Sequence, residues 1–137
     1  MKKVWISVVA VVVVVALVFA LKGSFSAKTY RDGTYEGAYE SSDGQRTSVT
    51  LTIKDNKIVD CKLDARDALG NVKDENYGKG GTAEDFRRAQ LSVREMKKYP
   101  DMLLETQDID KMDALSGATV TFKAMQIAVH EALKKAR

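Results

Sequence analysis

The chain has 137 residues, of which 22 are Lys or Arg and 19 are Asp or Glu. Two of the lysines precede a long apolar segment, so the portion after that segment carries 20 basic and 19 acidic residues. This near balance argues against a nucleic-acid-binding protein, which needs a basic surface. The single cysteine, Cys61, excludes an internal disulfide, so an apolar core or a bound cofactor must supply the stability.

The amino-terminal segment has the length and polarity of a membrane span. No side chain from Val4 to Leu21 is charged, and a helix of this length covers about 27 Å, close to the hydrocarbon thickness of a bilayer. Lys2 and Lys3 precede it without any acidic residue, so the positive-inside rule keeps the amino terminus in the cytoplasm. We therefore predict one transmembrane helix within residues 1–21, which anchors an extracytoplasmic domain in the cell membrane.

A cleavable secretory signal is the alternative interpretation of the same segment. Val18-Phe19-Ala20 and Ser24-Phe25-Ser26 both have small or permissive residues at the spacing of a signal-peptide cleavage site. Either interpretation exports the rest of the chain. Residues 22–32 are polar and basic, with glycine and serine, and are predicted to form a linker. The folded domain is predicted to cover residues 33–137.

Alternation of apolar and polar residues predicts two strands. A two-residue interruption at Asp55-Asn56 separates the alternating runs, so a tight hairpin with one buried face is expected there. The next stretch, residues 64–81, is polar and glycine-bearing and is predicted to be mostly loop. The predicted inward positions of the strands are Val49, Leu51, Ile53, Val59, Cys61 and Leu63.

Helix signals occupy the remainder of the chain. Thr82 and Asp85 have the spacing of a capping box and predict a helix that begins at Thr82. Pro100 is expected to end that helix and to open a short second one. Strands followed by a loop and then helices predict an α+β fold, with a small antiparallel sheet packed against helices. The final predicted helix has an apolar face at Phe122, Met125, Val129, Leu133 and Ala136.

The segment Asp113–Thr119 directly precedes the final predicted helix. Gly117 and Ala118 lack bulk, so a phosphate or a planar group could approach the backbone closely. Thr119 falls in or just before the first helical turn, where free amides and the helix dipole stabilise an anionic phosphate oxygen. Local chemistry alone leaves a second interpretation open, in which a serine or threonine simply caps the helix after a glycine turn.

Five residues of this segment match the Asp-x-x-Ser/Thr-Gly-Ala-Thr signature of the FMN-binding domain family. The chain thus resembles small exported flavoproteins related to the C subunit of sodium-pumping NADH:quinone reductase and the G subunit of the Rnf complex. Tyr35-Glu36-Gly37, the hairpin, and the segment from Lys73 to Lys79 also resemble parts of such small proteins. The signature residues are Asp113, Ser116, Gly117, Ala118 and Thr119.

The resemblance implies a covalent cofactor. In that family the last threonine of the signature carries FMN through its phosphate, and an FAD-dependent flavin transferase attaches it. Carried over, the attachment residue is Thr119. Asp113 and Ser116 are expected either to serve recognition by the transferase or to fix the turn. No metal site is expected, because His130 is the only histidine and the acidic residues of the loop lack calcium-loop spacing.

Three further residues are candidates for contact with the flavin. Tyr77 could stack on the ring, and Lys79 could stabilise the anion of the reduced flavin. The alternative for both is a solvated surface loop. Thr121 is interpreted as a helix-start residue that could touch the flavin. No residue beside the signature is singled out as a catalytic acid or base.

The expected function is electron relay from a membrane-bound donor to an acceptor that the sequence does not identify. One alternative is a peripheral subunit of an Rnf-like ion-pumping redox complex. Another is a surface-anchored binding module without redox activity, in which the segment from Ser116 to Thr119 merely caps a helix. A flavin-dependent reductase with its own small substrate is the third alternative.

Overall fold

The computed structural model describes residues 29–137, which form one α+β domain. The predicted anchor at residues 1–21 and most of the predicted linker lie outside the described residues. Within 29–137, none of the helices combines the length and the apolar character needed to cross a bilayer. The predicted α+β class is confirmed, with three strands followed by three α-helices in this part of the chain.

The sheet is antiparallel, with strand order β1-β2-β3. Its strands are β1 (Gly33–Glu40), β2 (Arg46–Lys54) and β3 (Lys57–Arg66). The predicted hairpin is confirmed, and both of its turn residues have positive φ, 52° at Asp55 and 62° at Asn56. Two successive left-handed residues are the requirement of a type I′ turn, whose twist matches that of the flanking strands.

A β-bulge corrects the prediction for the start of β3. Ile58 pairs with Ile53 and is 6% exposed, whereas Val59 is 50% exposed. The register shifts between Thr52 and Ile53, since a bulge places one extra residue opposite the partner strand. Inward positions resume at Cys61 as predicted. The prediction that Val59 faces the core is therefore wrong, and Ile58 takes that place.

The helices are α1 (Ala83–Met96), α2 (Tyr99–Thr106) and α3 (Thr119–Lys135), with a short 3-10 helix at Ile109–Lys111. The capping box that begins α1 is present: the Asp85 amide donates to the Thr82 hydroxyl and the Thr82 amide to the Asp85 carboxylate. Pro100 lies in the first turn of α2, as predicted. Proline is tolerated there because the amide it lacks would have no partner.

Helix α3 lies across β1 and β2 and completes the core. Gly37 permits this contact, because a Cβ at that position would overlap the carbonyl oxygen of Ala128. Ala128 and Ala132 are fully buried, so small residues on both elements let the backbones approach closely. The largest fully buried side chains are Tyr99, Leu51, Ile53, Leu103, Ile109, Met125, Val49 and Val129.

The last residues of the predicted linker are hydrogen-bonded to the domain. The Tyr30 amide donates to Asn56 Oδ1 at 2.7 Å, and the Arg31 amide donates to the Ala136 carbonyl at 2.7 Å. The chain thus joins the hairpin turn to the carboxyl end of α3 before β1 begins. The opposite end of the sheet, where β1 turns into β2, faces the beginning of α3 and the candidate site.

Candidate functional site

Thr119 is the first residue of α3, and its side chain is exposed. The residue at the cap position is Ala118, which offers no side-chain hydrogen bond to the helix. The interpretation that this segment merely caps the helix with a hydroxyl is therefore wrong. The Thr119 hydroxyl is instead presented at the domain surface beside the free amides of the first turn.

The turn before α3 requires glycine for two reasons. Gly117 has φ of 87°, a conformation that other residues rarely adopt. A Cβ there would also lie 2.8 Å from the side chain of Leu91 on α1. The Ala118 amide donates to the Leu115 carbonyl at 3.0 Å and closes the turn.

Tyr99 holds this turn from inside the core. Its hydroxyl donates to the Ala118 carbonyl at 2.9 Å and accepts from the Leu115 amide at 2.9 Å. The ring is fully buried and packs against Phe122, with 5.4 Å between ring centroids. Burial raises the pKa of Tyr99, so the hydroxyl stays protonated and remains a donor.

The amino terminus of α3 is suited to an anion. The Phe122 amide donates to the Ala118 carbonyl at 3.0 Å, and the amides that precede it in the helix lack intrahelical acceptors. No acidic residue stands in the first turn. No carboxylate of the first turn therefore competes for the positive end of the helix dipole, so this end can stabilise a phosphate oxygen at Thr119.

A cavity of about 560 Å³ opens beside Thr119. This volume lies within the roughly 300–1,000 Å³ that cofactor pockets occupy. Its walls come from the β1-β2 turn, the loop after β3, one side of α1 and the start of α3. The lining residues are Gln45, Lys73, Tyr77, Asp85, Arg88, Ala89, Ser92, Gly117, Thr119, Val120 and Thr121.

The loop after β3 forms one wall because α1 holds it in place. The Gln90 side chain donates to the carbonyl oxygens of Asp74 and Tyr77, at 3.0 and 2.9 Å. Gly78 has φ of 91°, and a Cβ there would lie 2.5 Å from the side chain of Ala89. This close approach fixes Tyr77, which is half-buried, in the cavity wall.

Lys73 is the basic group of this wall. Its Nζ donates to Gln45 Oε1 at 2.5 Å and lies 5.0 Å from the centre of the Tyr77 ring. Burial lowers the pKa of Lys73, and the carboxylates of Asp43 and Asp67 oppose that shift. Among residues 29–137, the close partners of this half-buried cation are one amide and one aromatic face, so it is positioned to receive an anionic ligand.

The structure brings some of the predicted site residues together and leaves others apart. Thr119, Gly117, Tyr77 and Thr121 all line the cavity, and Thr121 is 5% exposed. Lys79 does not line it; its Nζ donates to Asn76 Oδ1 at 2.5 Å on the exposed side of the loop. Asp113 and Ser116 are exposed and also outside the lining, while Ala118 is buried at the cap of α3.

Sequence reasoning missed several residues of this site. Lys73 could have been a candidate, because it precedes Tyr77 in the same loop in which Lys79 follows it. Nothing in the sequence shows which of the two lysines faces the cavity. Arg88 and Ser92 are polar residues of α1, for which periodicity indicates only solvent. Tyr99 carried one signal, because a tyrosine placed in a core needs a partner for its hydroxyl. The missed residues are Gln45, Lys73, Asp85, Arg88, Ala89, Ser92 and Val120 in the cavity lining, and Tyr99 beneath it.

The fold and the site define a small α+β domain in which a helix amino terminus, suited to phosphate, opens into a cavity of cofactor size. The family model described as the FMN-binding domain matches residues 44–134, and the chain belongs to that family. FMN is accordingly the cofactor that the domain supports, in a flavin-binding electron-transfer role. All of the residues that line the cavity fall within the matched range.

Comparison with a solved crystal structure gives the same fold. The crystal structure of a protein from Clostridium perfringens is similar with a TM-score of 0.63 and 19% identity, covering 79% of this chain and 89% of that one. A solution NMR structure from Clostridium thermocellum has a TM-score of 0.45 and 26% identity, covering 77% and 92%. No curated protein matches the chain significantly.

Proposed function

We propose that the protein is an electron carrier anchored in the cell membrane, with its domain on the extracytoplasmic side and FMN joined to Thr119 by a phosphoester bond. The observation that carries the proposal is the position of Thr119. It is exposed, it begins α3, it lines the cavity, and its hydroxyl is not used to cap the helix.

The residues of the cavity fit FMN. When bound, the flavin supplies the redox chemistry, and the protein supplies orientation and electrostatics. The free amides at the start of α3 hold the phosphate end. Gly117 keeps the approach to the backbone open, Tyr77 offers an aromatic face, and Lys73 provides a positive charge on the same wall.

The attachment step is a transfer from FAD, catalysed by a separate flavin transferase. Thr119 Oγ1 forms a bond to the flavin-side phosphorus of FAD, and the pyrophosphate bond breaks. Adenosine monophosphate leaves, and the hydroxyl proton passes to a base of the transferase or to water. A covalent bond suits an exported carrier, because a dissociated cofactor would be lost outside the cell.

The location rests on the sequence of residues 1–21. The uncharged run after Lys2 and Lys3 supports a membrane anchor with the domain exported. An anchor raises the effective concentration of the domain near a membrane-bound donor. We propose such a donor as the source of electrons, with a separate acceptor outside the membrane.

Co-expression with an FAD-dependent flavin transferase tests the covalent bond. The wild-type chain is expected to gain the mass of one FMN group and a yellow colour that persists after denaturation. Thr119→Val keeps the shape of the side chain but removes the hydroxyl, so it is expected to gain neither. Intact-mass spectrometry measures both outcomes.

Thr121→Val is the matched control. Thr121 lines the same cavity two residues later, but its side chain is buried. This variant is expected to be loaded like the wild type. Equal gains in mass for the wild type and Thr119→Val, or loss of loading in Thr121→Val alone, would contradict attachment at Thr119. Fractionation of native membranes, with immunodetection of the full-length chain, tests the anchor separately.

A further inference from the structure

One face of α1 forms a shallow groove of about 340 Å³, which we call the arginine groove. It is lined by Glu84, Arg87, Arg88, Leu91 and Arg94. Helix α1 carries three basic and three acidic side chains, but the groove takes all three arginines and only one of the carboxylates. Positive charge is thus gathered on the face of α1 that forms the groove, in a domain whose residues 29–137 carry 18 basic and 19 acidic side chains.

The arginine groove adjoins the flavin cavity. Arg88 lines both the groove and the cavity that contains Thr119. Leu91, at the centre of the groove, lies against Gly117 in the turn before α3. Val120, the residue after Thr119, is 79% exposed. A molecule that covers the groove would therefore also cover the mouth of the cavity.

The charges of the groove are available to a partner. Among residues 29–137, neither Arg87 nor Arg94 forms an ion pair, and the pair between Arg88 and Glu84 is at least two-thirds exposed on both sides. Arginine is enriched in protein interfaces and among their hot spots, and a polar rim surrounds the buried centre of such interfaces. The guanidinium group also suits bidentate contact with carboxylates.

We propose that the arginine groove is the docking surface for an acidic protein that exchanges electrons with this one. The inference rests on the proposed function, because it assigns the partner's approach to the cavity that holds the flavin. Carboxylates around the partner's own redox centre would pair with Arg87 and Arg94. Docking there brings the two redox centres together at the cavity mouth, and opposite charges accelerate the encounter.

Two well-behaved acceptor proteins of opposite charge test the proposal. The flavin-loaded full chain in phosphatidylcholine nanodiscs is reduced and mixed in a stopped-flow instrument with acidic plastocyanin or with basic cytochrome c. With plastocyanin, the rate constant is expected to fall about tenfold or more as salt screens the attraction. With cytochrome c, the rate is expected to be lower at low salt and to rise with salt.

Charge-reversal variants show which surface of the domain attracts plastocyanin. Arg87→Glu/Arg94→Glu is expected to slow the reaction with plastocyanin about tenfold at low salt and to speed the reaction with cytochrome c. Lys54→Glu/Lys57→Glu makes the same charge change at the hairpin turn, at the far end of the nine-residue strand β2, roughly 26 Å of strand away. This control is expected to change either rate less than twofold. Equal effects of the two double variants, or no salt dependence with plastocyanin, would overturn the proposal.

A binding measurement separates this proposal from the proposed function. Backbone amide NMR shifts of the flavin-free full chain are followed on addition of plastocyanin, which requires no cofactor. Shifts confined to α1 and the start of α3 support the docking surface, even if Thr119 carries no flavin. Absence of shifts there overturns it. A third outcome is that the arginine groove binds phosphatidylglycerol vesicles while Arg87→Glu/Arg94→Glu leaves the electron-transfer rates with both proteins unchanged. That outcome would identify an anionic lipid surface as the partner and would also overturn the proposal.

Discussion

The hydroxyl of the fully buried Tyr99 donates a hydrogen bond of 2.9 Å to the carbonyl oxygen of Ala118. The hydroxyl oxygen of Tyr99 also accepts a hydrogen bond from the amide of Leu115. One side chain from α2 thus fixes both ends of the turn that presents Thr119. The shape of this turn depends on the core beneath it as well as on its own sequence.

Tyr99→Phe is expected to lower the free energy of unfolding by about 1–3 kcal/mol, because the Leu115 amide loses its acceptor and the Ala118 carbonyl keeps only the Phe122 amide as a donor. It is also expected to slow flavin loading, since the turn before Thr119 loosens. Urea unfolding and the time course of loading measure the two effects. Tyr35→Phe is the control: its hydroxyl donates to the Arg31 carbonyl at 2.8 Å in an exposed setting, where water can replace it. Identical behaviour of the two variants would contradict a special role for Tyr99.

Lys73→Met is expected to make the reduction potential of the bound flavin more negative, because a positive charge in the cavity wall favours the reduced, more anionic cofactor. For a two-electron couple, a tenfold loss of this preference corresponds to about 30 mV. Lys79→Met is the matched control on the exposed side of the same loop, and no shift is expected from it. Spectroelectrochemical titration gives both values. A larger shift in reduction potential for Lys79→Met than for Lys73→Met would instead support the sequence-based prediction that Lys79 stabilises the reduced flavin.

Gly37→Ala is expected to destabilise the domain by about 1–3 kcal/mol or more, because its methyl group has no room between β1 and α3. Gly80→Ala is the control, since nothing lies within 4 Å of a Cβ at that position. Guanidinium unfolding of both variants tests the difference. Similar midpoints for the two would show that α3 can move away from β1 at little cost.

Cys61 makes the stability of the domain sensitive to alkali. Burial, with a contribution from the neighbouring Asp60, raises the pKa of Cys61 from 9.0 to about 12. The folded state therefore favours the neutral thiol, and this contribution is complete below pH 9. Between pH 9 and about 12 the unfolded chain loses the proton first, so stability falls by up to about 1.4 kcal/mol per pH unit.

The comparison with Cys61→Ala isolates this effect from other groups that titrate at high pH. The difference in unfolding free energy between wild type and variant is expected to be constant up to pH 9 and to shrink above it. Urea unfolding at several pH values measures it. A constant difference up to pH 12 would show that the thiol ionises equally well in the folded state.

Sequence patterns correctly predicted the structural elements that depend on residues close together in the chain. Strict alternation gave the β2-β3 hairpin, and the Thr82-Asp85 spacing gave the start of α1, because each depends on residues a few positions apart. The bulge at Val59 could not be predicted: Ile58 and Val59 are both apolar and β-branched, so neither pattern nor propensity decides which one faces inward. Only pairing with Ile53 decides it.

Attachment of flavin at Thr119 stays a prediction, and the sequence identified only part of the cavity that Thr119 lines. The signature points to Thr119, but the walls of the cavity come from segments separated by up to 76 positions, from Gln45 to Thr121. No periodicity specifies how the loop after β3 folds back on α1, so Lys73 could not be distinguished from Lys79. Gly37 did carry a signal, since a glycine inside a strand often marks a close approach of another backbone.

Under the proposed attachment of flavin to Thr119, loading would follow folding as a separate event, because Thr119 is exposed on the surface of the domain. Tyr99 and Phe122 pack against each other in the core beneath the turn. A modifying enzyme would therefore meet a finished surface rather than an unfolded chain. Cells with too little FAD would then accumulate the folded, colourless protein, which could be loaded when FAD becomes available again.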